Sequence, residues 1–235
     1  MAWCIGAGLL SDDQFHLVQA RDETQEERSA GPSRLAFTDE HLVSIFSSPV
    51  FSKLNGKFSE ARAWFLLLSL LTGARTDELA RAPAKLVKLD DIYCLDLRDS
   101  GKKTAAAPRL VPLHPELIRL GIMVWAERQD RKGYTLVQPE DEQLEAKDWS
   151  KQLNRYIDKN VTDDPTVALY SLRHNFRQAL RASGMSEELA NKFFGHTDKS
   201  VGAGYGRNLS VDEARVFVNS VKSPICFKHI TAISI

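Results

Sequence analysis

A chain of 235 residues with 43% hydrophobic content has room for one large folded domain, or one domain and a small appendage. Its 31 lysines and arginines balance 31 aspartates and glutamates, so net charge alone does not announce a nucleic-acid binder, and any such site must come from local clustering. Cys4, Cys94 and Cys226 lie far apart without a CxxC pair, which excludes a disulfide framework and a zinc site and leaves reduced cysteines, no metal and no cofactor as the expectation.

The opening MAWCIGAGLL is apolar but lacks a basic flank and runs into SDDQ, so neither a signal peptide nor a membrane anchor is expected, and a cytoplasmic location follows. Residues 1–34 are polar and charged beyond that point and end in a Gly-Pro-Ser turn, which reads as a linker or the remnant of an N-terminal region. The main domain is expected over 35–222. Thr38 with Asp39 and Glu40 forms an N-cap and acidic first turn, opening a helix whose apolar face carries Leu42, Ile45 and Phe46. SEARAWFLLLSLLTG, from Ser59 to Gly73, is apolar on nearly all sides and predicts a buried helix stopped by glycine.

Between Leu86 and Leu113 the pieces LVKL, DIYCLDLR and RLVPL predict a small antiparallel sheet, interrupted by DSGKK and an alanine stretch. Helices return as PELIRLGIMVWAERQDR, DWSKQLNRYIDKN, SLRHNFRQALRASG, SEELANKFFG and VDEARVFVNSV. The fold class is therefore α+β, mainly α. The tail, residues 223–235, is apolar and β-branched after a proline, suited to packing on its own core or on a partner.

Three segments present basic or phenolic side chains beside turns, where they can converge on a ligand. Arg75, in LLTGARTDELARA, follows the buried helix; alone it fits an ion pair with Asp77 or Glu78 as well as a ligand contact. Arg173, Arg177 and Arg181 recur at four-residue spacing, a pattern of solvated surface that here begins at a helix N-terminus suited to an anion. His196 follows a glycine, and Tyr205 stands between two glycines that would let a phenol reach outward.

In order, TGAR, the lysine-bearing GKKTAAAPRLVPLHP, SLRH and GHTDKSVGAGYG resemble the signature of the tyrosine recombinase (phage integrase) family over roughly Phe37 to Val221. The resemblance implies a helical catalytic domain with a small antiparallel sheet that cleaves and rejoins DNA strands. It assigns Tyr205 as nucleophile, joined to a 3′-phosphate while a 5′-hydroxyl leaves. Arg75 and Arg173 become the clamp on the nonbridging oxygens, Lys103 (with Lys102 as its neighbouring alternative) the general acid, and His196 a donor to, or orienter of, the phosphate. Further contacts to double-stranded DNA are expected from Lys102, Arg109, Arg177, Lys199 and Arg207. The implied assembly is a homo-tetramer on two duplexes, with accessory DNA-bending proteins as possible partners and no membrane association.

Two positions depart from that pattern. Tyr170 stands where the family usually has a histidine, two residues before the Leu-Arg pair, and a phenol that ordinarily titrates near pH ~10 is a poor proton acceptor. Reading His174 and Arg177 as the family's histidine–arginine pair instead would spoil the spacing to His196 and Tyr205, so His174 is expected as a buried helix histidine. Too few residues precede Leu35 for the family's separate DNA-binding domain. Alternatives are a catalytically weakened recombinase-fold DNA binder and a relative of the type IB topoisomerases.

Overall fold

The computed structural model describes residues 34–47, 60–99, 108–140, 142–196 and 209–222. At its centre is the helix expected from the all-apolar run, α2 (Glu60–Thr72), which is buried on every face from Ala63 onward. Two hydroxyls enter this core by spending themselves on the preceding turn: Ser69 Oγ donates to the Phe65 carbonyl at 2.8 Å and Thr72 Oγ1 to that of Leu68 at 2.6 Å. Before it lies α1 (Asp39–Ser47), begun at Thr38, whose Oγ1 accepts the His41 amide at 3.2 Å, and burying Leu42, Ile45 and Phe46 as expected.

After α2 the chain forms the short α3 (Thr76–Arg81) and then the sheet: β1 (Val87–Leu89), β2 (Ile92–Asp96) and β3 (Leu110–Pro112). The order is β1-β2-β3 and both pairings are antiparallel, with Cys94 opposite Val87 on one side and Pro112 on the other. Cys94 is buried and free. Cys4 and Cys226 fall outside the described residues.

PELIRLGIMVWAERQDR, expected as one helix, is two: α4 (Pro115–Arg119) and α5 (Ile122–Arg131). The break is at Gly121, whose φ of +97° belongs to the left-handed region and ends the first segment. Next comes α6 (Ala146–Asn160), which starts earlier than expected because Glu145 caps it and the Asp148 carboxylate accepts the Glu145 amide at 3.2 Å. Stacked ring pairs bind these helices to the centre, Phe65 on Trp149 with centroids 4.5 Å apart and Trp64 on Trp125 at 6.4 Å. The arginine helix α7 (Ser171–Ala182) packs along α2, followed by α8 (Glu187–Phe193) and α9 (Val211–Ser220). Among the described residues no helix is long and apolar enough to cross a membrane, and no cluster of potential metal ligands occurs.

A buried histidine ties α9 to the sheet side of the core. His114 caps α4 by accepting the Glu116 amide on Nδ1 at 3.1 Å, which leaves Nε2–H to donate to the Val221 carbonyl at 3.0 Å. Burial depresses its pKa, against the raising influence of the Val221 carbonyl and Glu116. The folded state therefore binds this proton less readily than the unfolded chain. Its contribution to stability is complete above the ordinary value of 6.5 and is lost as the pH falls through the lower folded value. Thermal melts at pH 7.5 and 5.5 should show a larger acid-induced drop for the native chain than for His114→Asn; equal drops would refute this.

Candidate active site

The site begins at the C-terminus of α2. Thr72 Oγ1 accepts the Ala74 amide at 3.2 Å, and Gly73 takes φ +61°, turning the chain sharply so that Arg75 sits at the N-cap of α3. Glycine is required there twice over. A Cβ at Gly73 would lie 2.4 Å from a ring carbon of Phe194 and 3.0 Å from one of Phe176, in a backbone conformation that L-side chains resist. This close approach lets α7 and the turn after α8 come directly against the Arg75 turn.

Arg173 bridges the three segments. It is buried, and its guanidinium donates to the Gly73 carbonyl and, at 3.1 Å, to the Phe194 carbonyl. The same terminal nitrogen is 3.4 Å from Nε2 of His196. An arginine cannot accept, so at that contact Nε2 is the acceptor and the imidazole proton resides on Nδ1. Burial pushes the Arg173 pKa down to about 10, with the charges of Arg75 and Arg109 adding to the drop and Tyr170 and Glu78 opposing it. The group remains a cation at neutral pH. His196 lies at the surface, and partial desolvation of its ring together with the charges of Arg173, Arg75, Arg177 and Arg109 holds its pKa below the ordinary value.

A buried carboxylate that the motif reading did not single out as a site residue organises the arginines. Glu78 receives both terminal nitrogens of Arg109, at 2.7 and 2.9 Å, and the Arg75 amide at 2.7 Å. The Arg75 side chain is further off, 3.6 Å from the same carboxylate, and its Nη1 is buried with no hydrogen-bond partner among the described residues. Nε of Arg109 is likewise buried and unpartnered. Burial pushes Glu78 up, but the Arg109 hydrogen bonds and charge, the Arg75 amide and the Arg173 charge outweigh that and hold it below its ordinary value. Three guanidinium groups thus surround one carboxylate. The spacing of Glu78, three residues after Arg75 at a helix start, is the capping-box signal that could have drawn attention to it.

Of the residues expected from the sequence, Arg75, Arg173 and His196 are brought together here. Tyr170 stands at the N-cap of α7, partly exposed, with its ring edge-on to His174 at 5.1 Å. His174, expected to be buried, is only half-buried, because four-residue spacing on α7 places it beside exposed Tyr170 rather than on the Phe176 face. Burial and the charges of Arg173 and Arg177 lower its pKa.

Arg109, expected on DNA, is committed to Glu78. Arg177 pairs with Glu187 and Asn191, and Arg181 pairs with Glu187, so the outer part of the arginine stripe is tied to the N-terminal turn of α8. Tyr205, Lys102, Lys103, Lys199 and Arg207 lie outside the described residues. On the described residues flanking the lysine-bearing segment, the Leu97 amide donates to the Arg109 carbonyl at 3.0 Å, one step beyond the β2–β3 ladder.

A family model described as the phage integrase family matches residues 50–210. Among solved structures, the integrase from mycobacterium phage Brujita is similar to the chain with a TM-score of 0.55 at 15% identity, over 99% of this chain and 72% of that one. Comparison with curated protein sequences finds no match. The chain belongs to the phage integrase family of tyrosine recombinases. Membership makes it a DNA-binding protein of recombination and integration, and the Brujita likeness agrees with a mainly helical fold carrying a small antiparallel sheet.

Proposed function

We propose that this chain cleaves and rejoins DNA at a specific sequence through a 3′-phosphotyrosine intermediate on Tyr205. The observation that carries the proposal is three guanidinium groups gathered on one acid: Arg173 is buried, Arg75 and Arg109 are part-buried, Glu78 is the carboxylate near them, and Arg75 Nη1, 3.6 Å from it, makes no hydrogen bond among the described residues. Three cations sharing one carboxylate leave a net positive charge in a partly desolvated site, where water screens it less than at an open surface, so the site favours an added anion. A DNA phosphodiester is the anion that family membership indicates.

In the proposed reaction the Tyr205 oxygen attacks phosphorus and the P–O5′ bond breaks. The departing 5′-oxygen takes its proton from Lys103, and the ester bond is kept as the phosphotyrosine link, so no nucleotide cofactor is consumed. Arg75 and Arg173 hold the nonbridging oxygens as charge develops on them. His196, neutral at pH 7 with its proton on Nδ1, donates to the phosphate or orients it. Tyr170, in place of a histidine, leaves removal of the phenol proton to a weaker acceptor and slows the step without abolishing it. Exchange between two duplexes requires four strand cleavages, hence four copies of Tyr205, which favours a tetramer on DNA, with DNA-bending accessory proteins as further partners. The domain limits that fit this reading are 35–222 for catalysis, with 1–34 as linker and 223–235 as a tail for self- or partner-docking.

The test uses a pool of nicked suicide duplexes of randomised sequence, from which a cleaved fragment diffuses away and strands the enzyme on its DNA. A denaturant-resistant protein–DNA adduct is expected, enriched for one sequence family and lost in Tyr205→Phe. Sequence-selective binding with no adduct from any duplex would overturn the enzymatic proposal in favour of a binding-only protein. Relaxation of supercoiled plasmid without sequence enrichment would favour a topoisomerase-like activity.

A further inference from the structure

Arg173 is buried without facing a carboxylate of its own. Its terminal nitrogens bond to two main-chain carbonyls and contact His196, while Glu78, the nearby acid, is occupied by Arg109 and the Arg75 amide. An aromatic ring packs against the same guanidinium. The Phe194 ring is fully buried, its centroid 4.5 Å from the Arg173 guanidinium carbon and 5.5 Å from that of Arg177. A carbon of the same ring is 2.4 Å from where a Gly73 Cβ would be, so the ring abuts the backbone of the turn that carries Arg75. Phe176 and Phe193 brace it edge-on, with centroids 6.3 and 5.3 Å away. Its chain continues through Gly195, at φ +68°, directly to His196.

We propose that Phe194 is a positioning residue for strand cleavage: its ring face fixes the plane of the Arg173 guanidinium while its edge fixes the Gly73 turn, so that Arg173 and Arg75 meet one phosphate in register. This deepens the reading of Arg173 as a phosphate ligand and rests on it. An aliphatic side chain of similar bulk would fill the space. It would not supply the negative ring face that attracts a desolvated cation, nor the flat surface that holds a planar guanidinium to one orientation. A leucine would leave the guanidinium free to tilt about its two carbonyl acceptors. The loss would fall on charge stabilisation in the reaction more than on DNA binding, because backbone-phosphate contacts elsewhere are untouched.

The experiment uses the full chain and the duplex enriched by the suicide selection. Phe194→Leu is expected to slow adduct formation about 10–30-fold, in keeping with the size of a buried cation–π contact, with DNA affinity within a few-fold of the native chain. The same duplex with a methylphosphonate at the scissile position lacks one anionic oxygen and so reduces the demand for Arg173. On it the defects of Phe194→Leu and Arg173→Ala should shrink together. A Phe194→Leu defect of the same size on both substrates, or a native cleavage rate, would overturn the proposal.

A second series guards against a packing failure in Phe194→Leu: phenylalanines with one, two and three ring fluorines at position 194 weaken the ring face while keeping its shape. Cleavage falling stepwise with fluorination, at unchanged melting temperature, supports the proposal, and a flat series overturns it. If Arg173→Ala itself cleaves the ordinary duplex normally, the phosphate-clamp reading fails and takes this one with it. If Arg173→Ala is inactive while Phe194→Leu is native, only the Phe194 proposal fails.

Discussion

Glu78→Ala is expected to destabilise the protein by about 3–5 kcal/mol, the cost of stripping the partner from a buried charge, and to abolish adduct formation as well. The carboxylate is almost wholly buried and holds both terminal nitrogens of Arg109 and the amide of Arg75. Its removal would leave one buried and two part-buried guanidinium groups close together with no acid between them. Glu78→Gln keeps the volume and one acceptor oxygen but loses the charge and half of the bidentate fork, so an intermediate loss is expected. Urea titrations of the three proteins at pH 7 measure the difference, and a Glu78→Ala midpoint equal to the native one would refute it.

The same carboxylate sets a pH dependence. Its folded pKa lies below the ordinary 4.5, so its contribution is complete above that value and is lost as the pH falls through the lower folded one. The stability gap between native protein and Glu78→Gln should therefore close in acid, between about pH 4.5 and the folded value. His114 gives way at higher pH, below its ordinary 6.5, so the two acid effects can be separated in one titration series.

Most of the framework was legible because it is local. The all-apolar run of α2, the glycine stop at Gly73 and the β-type pieces of the sheet each carry their signal within a short stretch of chain. Gly121 is the local exception: a glycine inside an apolar helical run marks a break where the chain must turn, here at φ +97°.

The site was legible in part. Arg75, Arg173 and His196 converge because each sits on or beside a recognisable turn or helix start. The partners that hold them there are distant in sequence, Glu78 with Arg109 across 31 residues and Arg173 with Phe194 across 21. No periodicity encodes which arginine a buried acid will choose. That is why Arg109 read as a DNA contact on sequence alone, while the fold gives it Glu78 first.

Gly73→Ala should be the most damaging substitution of a residue with no functional side chain. The left-handed conformation costs an alanine roughly 1–2 kcal/mol, and overpacking a tight core roughly 1–3 more, so a loss of about 2–5 kcal/mol is expected. For a protein of this size that corresponds to a fall in melting temperature on the order of 10 °C. The two contributions can be separated, because the clash is with a ring carbon of Phe194 at 2.4 Å whereas the backbone strain belongs to position 73 itself. In the double variant Gly73→Ala with Phe194→Leu the shorter side chain frees that space. Its stability should therefore exceed the sum of the single losses by about 1–2 kcal/mol, a coupling typical of residues in direct contact. Strict additivity would mean that the ring does not press on the turn, and would remove the steric link between Phe194 and the segment that presents Arg75.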